Sequence, residues 1–199
     1  AFVQSLQMVV DYAYGKGSLV VAASGNGGTN NDVLPHYPSN LNHVLAVGAT
    51  TSQDSAANFS QYGMAVDVYA AGVNTLSTYP NNQYQGNGLN GTSFSSPIVS
   101  GLAGLLFSLH PTWTPDQVAM QIRVTGDRVK LPNPNYAPYF YRRANASRAV
   151  STNRDFTNGS PSNYPGIGIV SYTIDAGTDD TIRSLDQIAT INLRLKNYL

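Results

Sequence analysis

The first half of the chain alternates between a helical pattern and the pattern of buried strands. Near the N-terminus, apolar residues at helical spacing predict a helix that ends at Gly15 and Gly17; they are Phe2, Val3, Leu6, Val9, Val10 and Ala13. Residues 19–23 are then apolar at consecutive positions, and residues 44–49 and 66–70 repeat this type. Such runs are typical of parallel strands covered on both faces. The pattern therefore predicts an α/β fold.

Two further helices are predicted after these strands. From residue 98 to 109 almost every position is apolar or small, which predicts a helix buried all round. The small residues in it, such as Gly101 and Gly104, permit neighbouring elements to approach closely. A last helix begins at Thr114, with Pro115 at its first position and Gln117 placed to complete a capping box.

The composition changes in the C-terminal part of the chain. Residues 151–165 are rich in Asn, Ser, Gly and Pro and predict a linker. Beyond it, residues 167–174 read as one strand, and residues 189–196 alternate apolar and polar positions. We therefore expect an α/β domain over residues 1–150, a linker over 151–165, and the start of a truncated all-β sandwich domain over 166–199.

The charge and composition of the chain argue against some classes of binding partner. Hydrophobic residues are 42% of the 199 residues, charged residues are 11%, and the formal net charge is zero. We expect no nucleic-acid partner and no membrane partner, because the chain has neither a basic surface nor an apolar run of about 20 residues. The chain opens within a helical pattern and has no charged leader, so we expect it to begin in mid-domain.

The most informative chemistry lies in residues 91–97, Gly-Thr-Ser-Phe-Ser-Ser-Pro. Ser93 stands between small residues at the start of the apolar helix. Backbone N–H groups in a first helical turn lack intrahelical partners, and the helix dipole there favours negative charge, so a developing oxyanion would be stabilised. Ser93 is therefore a candidate nucleophile. The alternative is an ordinary N-cap formed by Thr92 or Ser93.

Several separated motifs resemble the subtilisin-like serine peptidases. The matching segments are Gly91-Thr92-Ser93 with Pro97, residues 20–26 (Val-Val-Ala-Ala-Ser-Gly-Asn), 37–38, 44–49, 59–63 and 110–114. They stand in the family's order and register over about residues 1–130, which makes the resemblance more specific than any single motif. It implies the C-terminal part of a three-layer, parallel-sheet subtilisin-like fold, truncated at both ends.

The resemblance also implies roles for individual residues. Ser93 is the nucleophile of an acyl-enzyme mechanism, and Asn26 forms the oxyanion hole together with the Ser93 backbone N–H. Residues expected to contact substrate are Ala22, Ala23, Ser24, Gly25 and Thr92. Small uncharged residues in such a pocket favour a broad or apolar preference. Thr92 has a second interpretation as a cap of the helix.

The sequence offers no obvious candidate for the general base that would activate Ser93, or for the acid that would orient that base. In the family the chain order is Asp, His, Ser, so both would precede Ala1 in a missing N-terminal half of the catalytic domain. His110 is roughly 25 Å from Ser93 at 1.5 Å per helical residue. His36 and His43 read as exposed loop histidines. We therefore expect the fragment alone to be inactive.

The sequence departs from the usual family pattern at several positions, but none of these departures removes a catalytic group. Ala71 stands where a proline is common, Ser95 and Ser96 replace the usual alanines, and Ile98 stands where histidine is often seen. The implied function is a secreted serine endopeptidase that acts on protein or peptide substrates and needs no cofactor or catalytic metal. Structural calcium is possible at the loop aspartates Asp175, Asp179 and Asp180, although loop aspartates usually only form turns.

Two other functions stay open at this stage. One is a catalytically inactive homologue that serves as a binding module, since Ser93 and Asn26 can persist after the upstream residues are lost. The other is a sedolisin-type acid peptidase, which uses Glu and Asp as partners and an Asp in the oxyanion hole. Asn26 favours the subtilisin-like interpretation over the sedolisin one.

Overall fold

The structure is a computed structural model that describes residues 2–85, 87–130, 141–152, 167–175 and 190–197. These residues form four helices and nine strands. The helices are α1 (Phe2–Gly15), α2 (Thr92–Leu109), α3 (Pro115–Thr125) and α4 (Ala146–Ser151). The strands are β1 (Val20–Ala23), β2 (Val44–Thr50), β3 (Val68–Ala71), β4 (Ser77–Tyr79), β5 (Gln83–Gln85), β6 (Asp127–Arg128), β7 (Arg142–Arg143), β8 (Ile167–Asp175) and β9 (Thr190–Asn197).

Five strands form the central sheet, in the order β1-β2-β3-β7-β6. The first four run parallel, and β6 is antiparallel to β7. Every residue of β2 is buried, as expected for a consecutive apolar run in the middle of a parallel sheet. The predicted α/β class is confirmed.

Helices cover both faces of this sheet. Val20 and Ala22 pack with Leu6 and Val10 of α1, whereas Val21 packs into the cluster formed with α2. Successive strand residues point to opposite faces, so α1 and α2 lie on opposite sides of β1. The main core contains residues of β2, β3, α2, α3 and α4: Leu45, Val47, Val68, Ala70, Val99, Leu102, Ala103, Leu106, Val118, Ala119, Ile122 and Ala149. The three-layer arrangement is the one the resemblance implies.

The prediction that α2 is buried all round is wrong. Val99, Leu102 and Leu106 are buried against the sheet, but Ile98 is 45% exposed and Leu105 is 47% exposed on another side of the helix. The apolar pattern could not show this, because apolar and small residues occupy every face of α2.

By length and composition α2 meets the criterion for a membrane-spanning helix, with 33% of its residues buried. Core helices of soluble proteins also meet this criterion.

The N-terminus of α3 has the predicted capping box. Thr114 Oγ1 accepts a hydrogen bond from Gln117 N at 3.3 Å, and Gln117 Oε1 accepts one from Thr114 N at 2.7 Å. Pro115 occupies the first turn, where its missing N–H has no intrahelical partner to lose. This motif is structural.

The chain divides into two compact units, Ala1–Asp155 and Phe156–Leu199. In the second unit β8 pairs antiparallel with β9, with a register irregularity between Ile169 and Ser171. The boundaries proposed above, 1–150, 151–165 and 166–199, stay predictions, as does the all-β sandwich domain. Of the aspartates considered for calcium, Asp179 and Asp180 lie outside the described residues.

Candidate active site

The candidate site lies at the carboxyl ends of the parallel strands, where ligands bind in open α/β sheets. Strand β1 leads directly into Ser24, Gly25 and Asn26. Gly72, which follows β3, donates a hydrogen bond to Thr50 O at 3.0 Å and accepts one from Gly91 N at 2.8 Å. The start of α2 is thereby held at the same edge of the sheet as the turn that carries Asn26.

Asn26 is held in one orientation by Thr92. Asn26 Oδ1 accepts hydrogen bonds from Thr92 N and from Thr92 Oγ1, both at 2.9 Å. The amide nitrogen Nδ2 takes no part in these two hydrogen bonds. A Cβ atom placed on Gly91 would lie 3.4 Å from Asn26 Nδ2 and 3.7 Å from Ser93 N. Two nitrogen atoms from distant parts of the chain thus lie near the same position beside Gly91, with Asn26 Oδ1 3.8 Å from it.

Thr92 does not cap the helix. Gly91 occupies the N-cap position with no side-chain cap bond, at φ 154° and ψ 154°. The buried Thr92 hydroxyl instead accepts from Gly25 N at 3.2 Å and donates to Asn26. Ser93, in the first turn, is exposed to solvent. The N-cap interpretation of Thr92 and Ser93 is therefore wrong, and Thr92 links the Asn26 turn to the helix.

Ser95 anchors the first turn of α2 to the sheet. Its side chain is fully buried, and its hydroxyl lies 3.0 Å from Ala70 O and 3.1 Å from Ala71 O, at the end of β3. A Cβ on Gly72 would come within 2.4 Å of Ser95 Oγ, so only glycine leaves room for this contact. The sequence showed a serine where the family usually has alanine, but its partners lie more than twenty residues away.

Comparison with known proteins identifies the family of the chain. The sequence matches the Subtilase family, Peptidase_S8, over residues 2–164. The chain belongs to the subtilase family. It is 41% identical to Subtilisin BL of Lederbergia lenta over 129 residues, which is 65% of this chain and 46% of that protein. It is 39% identical to Thermitase of Thermoactinomyces vulgaris over 145 residues, 73% of this chain and 48% of that protein.

Solved subtilase structures have the same fold. A protease from Pseudoalteromonas arctica PAMC 21717 superposes with a TM-score of 0.63 at 27% identity, covering 73% of this chain and 45% of that one. The prenylagaramide maturation protease PagA gives a TM-score of 0.61 at 30% identity, covering 73% and 54%. The chain therefore spans about half the length of the curated relatives that it matches.

The residues expected to line a subtilase specificity pocket differ in burial. Ala22 packs in the core beneath α1, Ser24 and Gly25 are buried, and Ala23 is half-buried. Gly25 has φ +109°, and a Cβ there would lie 1.5 Å from Gln61 Oε1. Glycine is required at this position by both its conformation and its neighbours.

The three histidines of this subtilase contact groups other than Ser93. His36 is half-buried beside Gly25, so its interpretation as an exposed loop residue is wrong; its Nδ1 lies 3.4 Å from Ser39 Oγ. The exposed His43 stacks on Tyr14 with ring centroids 3.8 Å apart. His110 stacks on Trp113 at 3.8 Å. The part of the chain that the structure describes shows no histidine hydrogen-bonded to Ser93.

Tyr14 and Asp127 have shifted pKa values, and both shifts arise from contacts that hold elements of this subtilase together. A hydrogen bond from Tyr14 Oη to Asp116 Oδ2 at 2.5 Å, with burial, raises the pKa of Tyr14. The pKa of Asp127 is lowered by a hydrogen bond from Asn145, against burial, and further by Arg143 and Arg148. Among the described residues, no group of three His, Cys, Asp or Glu side chains is arranged to hold a metal ion. Structural calcium stays a prediction.

Proposed function

We propose that this protein is a serine endopeptidase in which Ser93 attacks the peptide carbonyl and forms an acyl-enzyme. The oxyanion of the tetrahedral intermediate accepts hydrogen bonds from Asn26 Nδ2 and from the Ser93 backbone N–H. The proposal is supported above all by the positions of these two nitrogen atoms, which lie 3.4 and 3.7 Å from one point beside Gly91. The exposed position of Ser93 in the first turn of α2 gives a substrate access to it.

Serine is a weak nucleophile at neutral pH and needs a base to take its proton. In the proposed mechanism a histidine removes the Ser93 proton and later returns it to the leaving amine, and an aspartate orients that histidine. By family resemblance both residues belong to the part of the catalytic domain that lies N-terminal to α1. The 199-residue chain alone is therefore expected to be inactive.

The proposed substrates are proteins or peptides with a broad or apolar preference. Ala23, Ser24 and Gly25 present small, uncharged groups next to Asn26, and they place no carboxylate that would select Lys or Arg. We propose by family resemblance that the protein acts outside the cell. The chemistry needs no cofactor, since acyl transfer uses only the serine, its base and the oxyanion donors.

Covalent labelling tests this function. For this purpose the chain is joined at its N-terminus to the part of Subtilisin BL that precedes the matched region; this product is called the completed protein below. We expect a fluorophosphonate probe to label the completed protein at Ser93 and to leave the chain alone unlabelled, because only the former holds a base. Labelling is measured by gel fluorescence and peptide mass spectrometry.

Ser93→Ala should abolish the labelling. Ser100→Ala is the matched control, because Ser100 is an exposed serine of the same helix whose hydroxyl bonds only to Ser96 O within α2. Labelling that survives Ser93→Ala contradicts the proposed nucleophile. A folded completed protein that is never labelled also contradicts it, because Subtilisin BL supplies the base that Ser93 needs.

A further inference from the structure

The sequence contains four asparagines that are followed directly by glycine, and three of these pairs lie within the described residues. The three are Asn26-Gly27, Asn87-Gly88 and Asn90-Gly91. In such a pair the backbone nitrogen of the glycine can attack the side-chain carbonyl carbon of the asparagine, because glycine has no Cβ that obstructs the approach. Each pair is therefore a chemical candidate for deamidation, and the structure decides which glycine nitrogen is free to react.

Two of the three pairs have a glycine nitrogen that is already hydrogen-bonded. Gly88 N donates to Asn74 Oδ1 at 3.2 Å, and Gly91 N donates to Gly72 O at 2.8 Å. The side chain of Asn90 is restrained as well, since its Oδ1 accepts a hydrogen bond from Asn74 N at 2.8 Å. Attack by either of these glycine nitrogens therefore requires that a hydrogen bond breaks first.

The third pair, Asn26-Gly27, differs in this respect. Gly27 N donates no hydrogen bond to any residue that the structure describes, whereas the next nitrogen, Gly28 N, donates to Phe59 O at 2.8 Å. Asn26 and Gly27 are both exposed to solvent and lie outside helix and strand. The nitrogen of Gly27 can therefore turn toward the Asn26 side chain without the loss of a hydrogen bond, and water can reach the product.

The hydrogen bonds of Asn26 favour attack at its Cγ. Thr92 N and Thr92 Oγ1 both donate to Asn26 Oδ1 at 2.9 Å. Attack at Cγ moves negative charge onto Oδ1, and donors already placed where charge develops lower the barrier. The contacts that orient Asn26 thus also polarise its own amide group.

We propose that Asn26 is a site of spontaneous deamidation and that this modification limits the active lifetime of the protein. Gly27 N forms a bond to Asn26 Cγ, the Cγ–Nδ2 bond breaks, and the proton of Gly27 N leaves with Nδ2 as ammonia. Water then opens the resulting succinimide at either carbonyl, which gives aspartate or isoaspartate. The overall reaction consumes a water molecule and releases ammonia, with no oxidation or reduction.

The consequence for activity rests on the proposed function, whereas the modification itself does not. Both products carry a carboxylate in place of the Asn26 amide. The oxyanion of the tetrahedral intermediate would then meet a negative charge instead of an N–H donor. Isoaspartate also routes the main chain through Cβ and Cγ, which lengthens the turn after β1. Either product therefore removes the contribution of Asn26 to turnover.

Peptide mapping of the 199-residue chain tests the modification. The chain is incubated in mildly alkaline buffer, and deamidation at each pair is measured by mass spectrometry and by an isoaspartate methyltransferase assay. In the folded chain we expect Asn26 to react about five- to tenfold faster than Asn87 and Asn90, whose glycine nitrogens must first lose a hydrogen bond. In urea, where these bonds are absent, the three rates should become similar. Asn26 reacting no faster than the other two in the folded chain would overturn the proposal.

Gly27→Ala tests the attacking atom. A Cβ on Gly27 would come no closer than 3.7 Å to Thr29 Oγ1, an ordinary contact, so the structure accommodates the substitution. We expect deamidation at Asn26 to slow by about tenfold or more, because the methyl group hinders the approach of the nitrogen to Cγ and raises the barrier. Gly101→Ala is the matched control, since a Cβ there meets no atom within 4 Å, and it should leave the rate unchanged. An unchanged rate in Gly27→Ala would contradict attack by Gly27 N.

The effect on lifetime is measured in the completed protein. Peptide hydrolysis and conversion of Asn26 are followed together during incubation, with autolysis monitored by intact mass. We expect activity to fall in parallel with conversion and to persist longer in Gly27→Ala. Full conversion of Asn26 with retained activity would overturn the limit on lifetime. A completed protein that is inactive from the start contradicts the proposed endopeptidase and with it the lifetime limit, whereas deamidation in the chain alone is decided by peptide mapping, so the two proposals fail separately.

Discussion

At the scale of single residues, Asn26 has two separable tasks. Its oxygen accepts from Thr92, and its nitrogen lies near the position beside Gly91 that Ser93 N also approaches. We expect Asn26→Ala in the completed protein to lower kcat by about two to three orders of magnitude with little change in KM, because the donor acts mainly on the charged intermediate. The magnitude comes from subtilisin, a relative of this chain. Peptide hydrolysis kinetics measure it.

Asn26→Asp separates the two tasks. The aspartate keeps an oxygen for Thr92 but removes the donor, so kcat should fall as it does for alanine while the free energy of unfolding stays closer to wild type. A change confined to KM, or an aspartate variant with normal kcat, would show that Asn26 only positions Thr92.

Ser95 gives a prediction about stability. Ser95→Ala removes a buried hydroxyl that bonds to the end of β3. We expect the free energy of unfolding of the chain to fall by about 1–2 kcal/mol, since a buried acceptor loses its donor. Urea denaturation measures the change. Ser100→Ala, at an exposed position of the same helix, should stay within about 0.5 kcal/mol of wild type, and an equal effect of both substitutions would contradict the role given to Ser95.

At the scale of elements, Asp127 joins β6 to the segment that leads into α4. Its carboxylate accepts from Asn145 Nδ2 at 2.8 Å and from Arg143 and Arg148 at 3.1 and 2.5 Å. Asn145 in turn caps α4 through Arg148 N at 2.8 Å. This network fastens α4, whose Ala149 is part of the main core, to the far edge of the sheet.

The lowered pKa of Asp127 predicts how this junction depends on pH. A depressed pKa in the folded state contributes stability that is present above the unfolded value, 3.8, and is lost as the pH falls through the folded pKa. Asp127→Asn should therefore destabilise the chain by about 1 kcal/mol at pH 7 and have little effect near pH 2. Urea denaturation across this range measures it, and a difference that does not shrink at low pH would contradict the assignment.

The cap of α3 was predicted correctly and the burial of α2 was not, and the difference has a physical reason. The capping box at Thr114 uses residues three apart in the chain, so the sequence contained everything needed to predict it. The burial of α2 depends on which elements surround the helix, and its composition is apolar or small on every face. Ile98 and Leu105 therefore look like core residues in the sequence and are exposed in the structure.

At the scale of the whole molecule, the described residues form part of a subtilase domain rather than a self-contained site. The sheet ends at β1, the relatives are about twice as long as the matched span, and no described histidine reaches Ser93. The proposed activity therefore depends on a base that the described residues do not place beside Ser93.

The sequence by itself determined the local features of this protein: the consecutive apolar runs of the parallel strands, the cap of α3 and the small residues around Ser93. These depend on neighbours in the chain and on backbone preferences. Only the tertiary structure decided that Thr92 binds Asn26, that Ser95 reaches β3, that His36 lies beside Gly25 and that one face of α2 is open. Such contacts join residues that are distant in sequence, and hydrophobic patterning does not say which distant group will meet which.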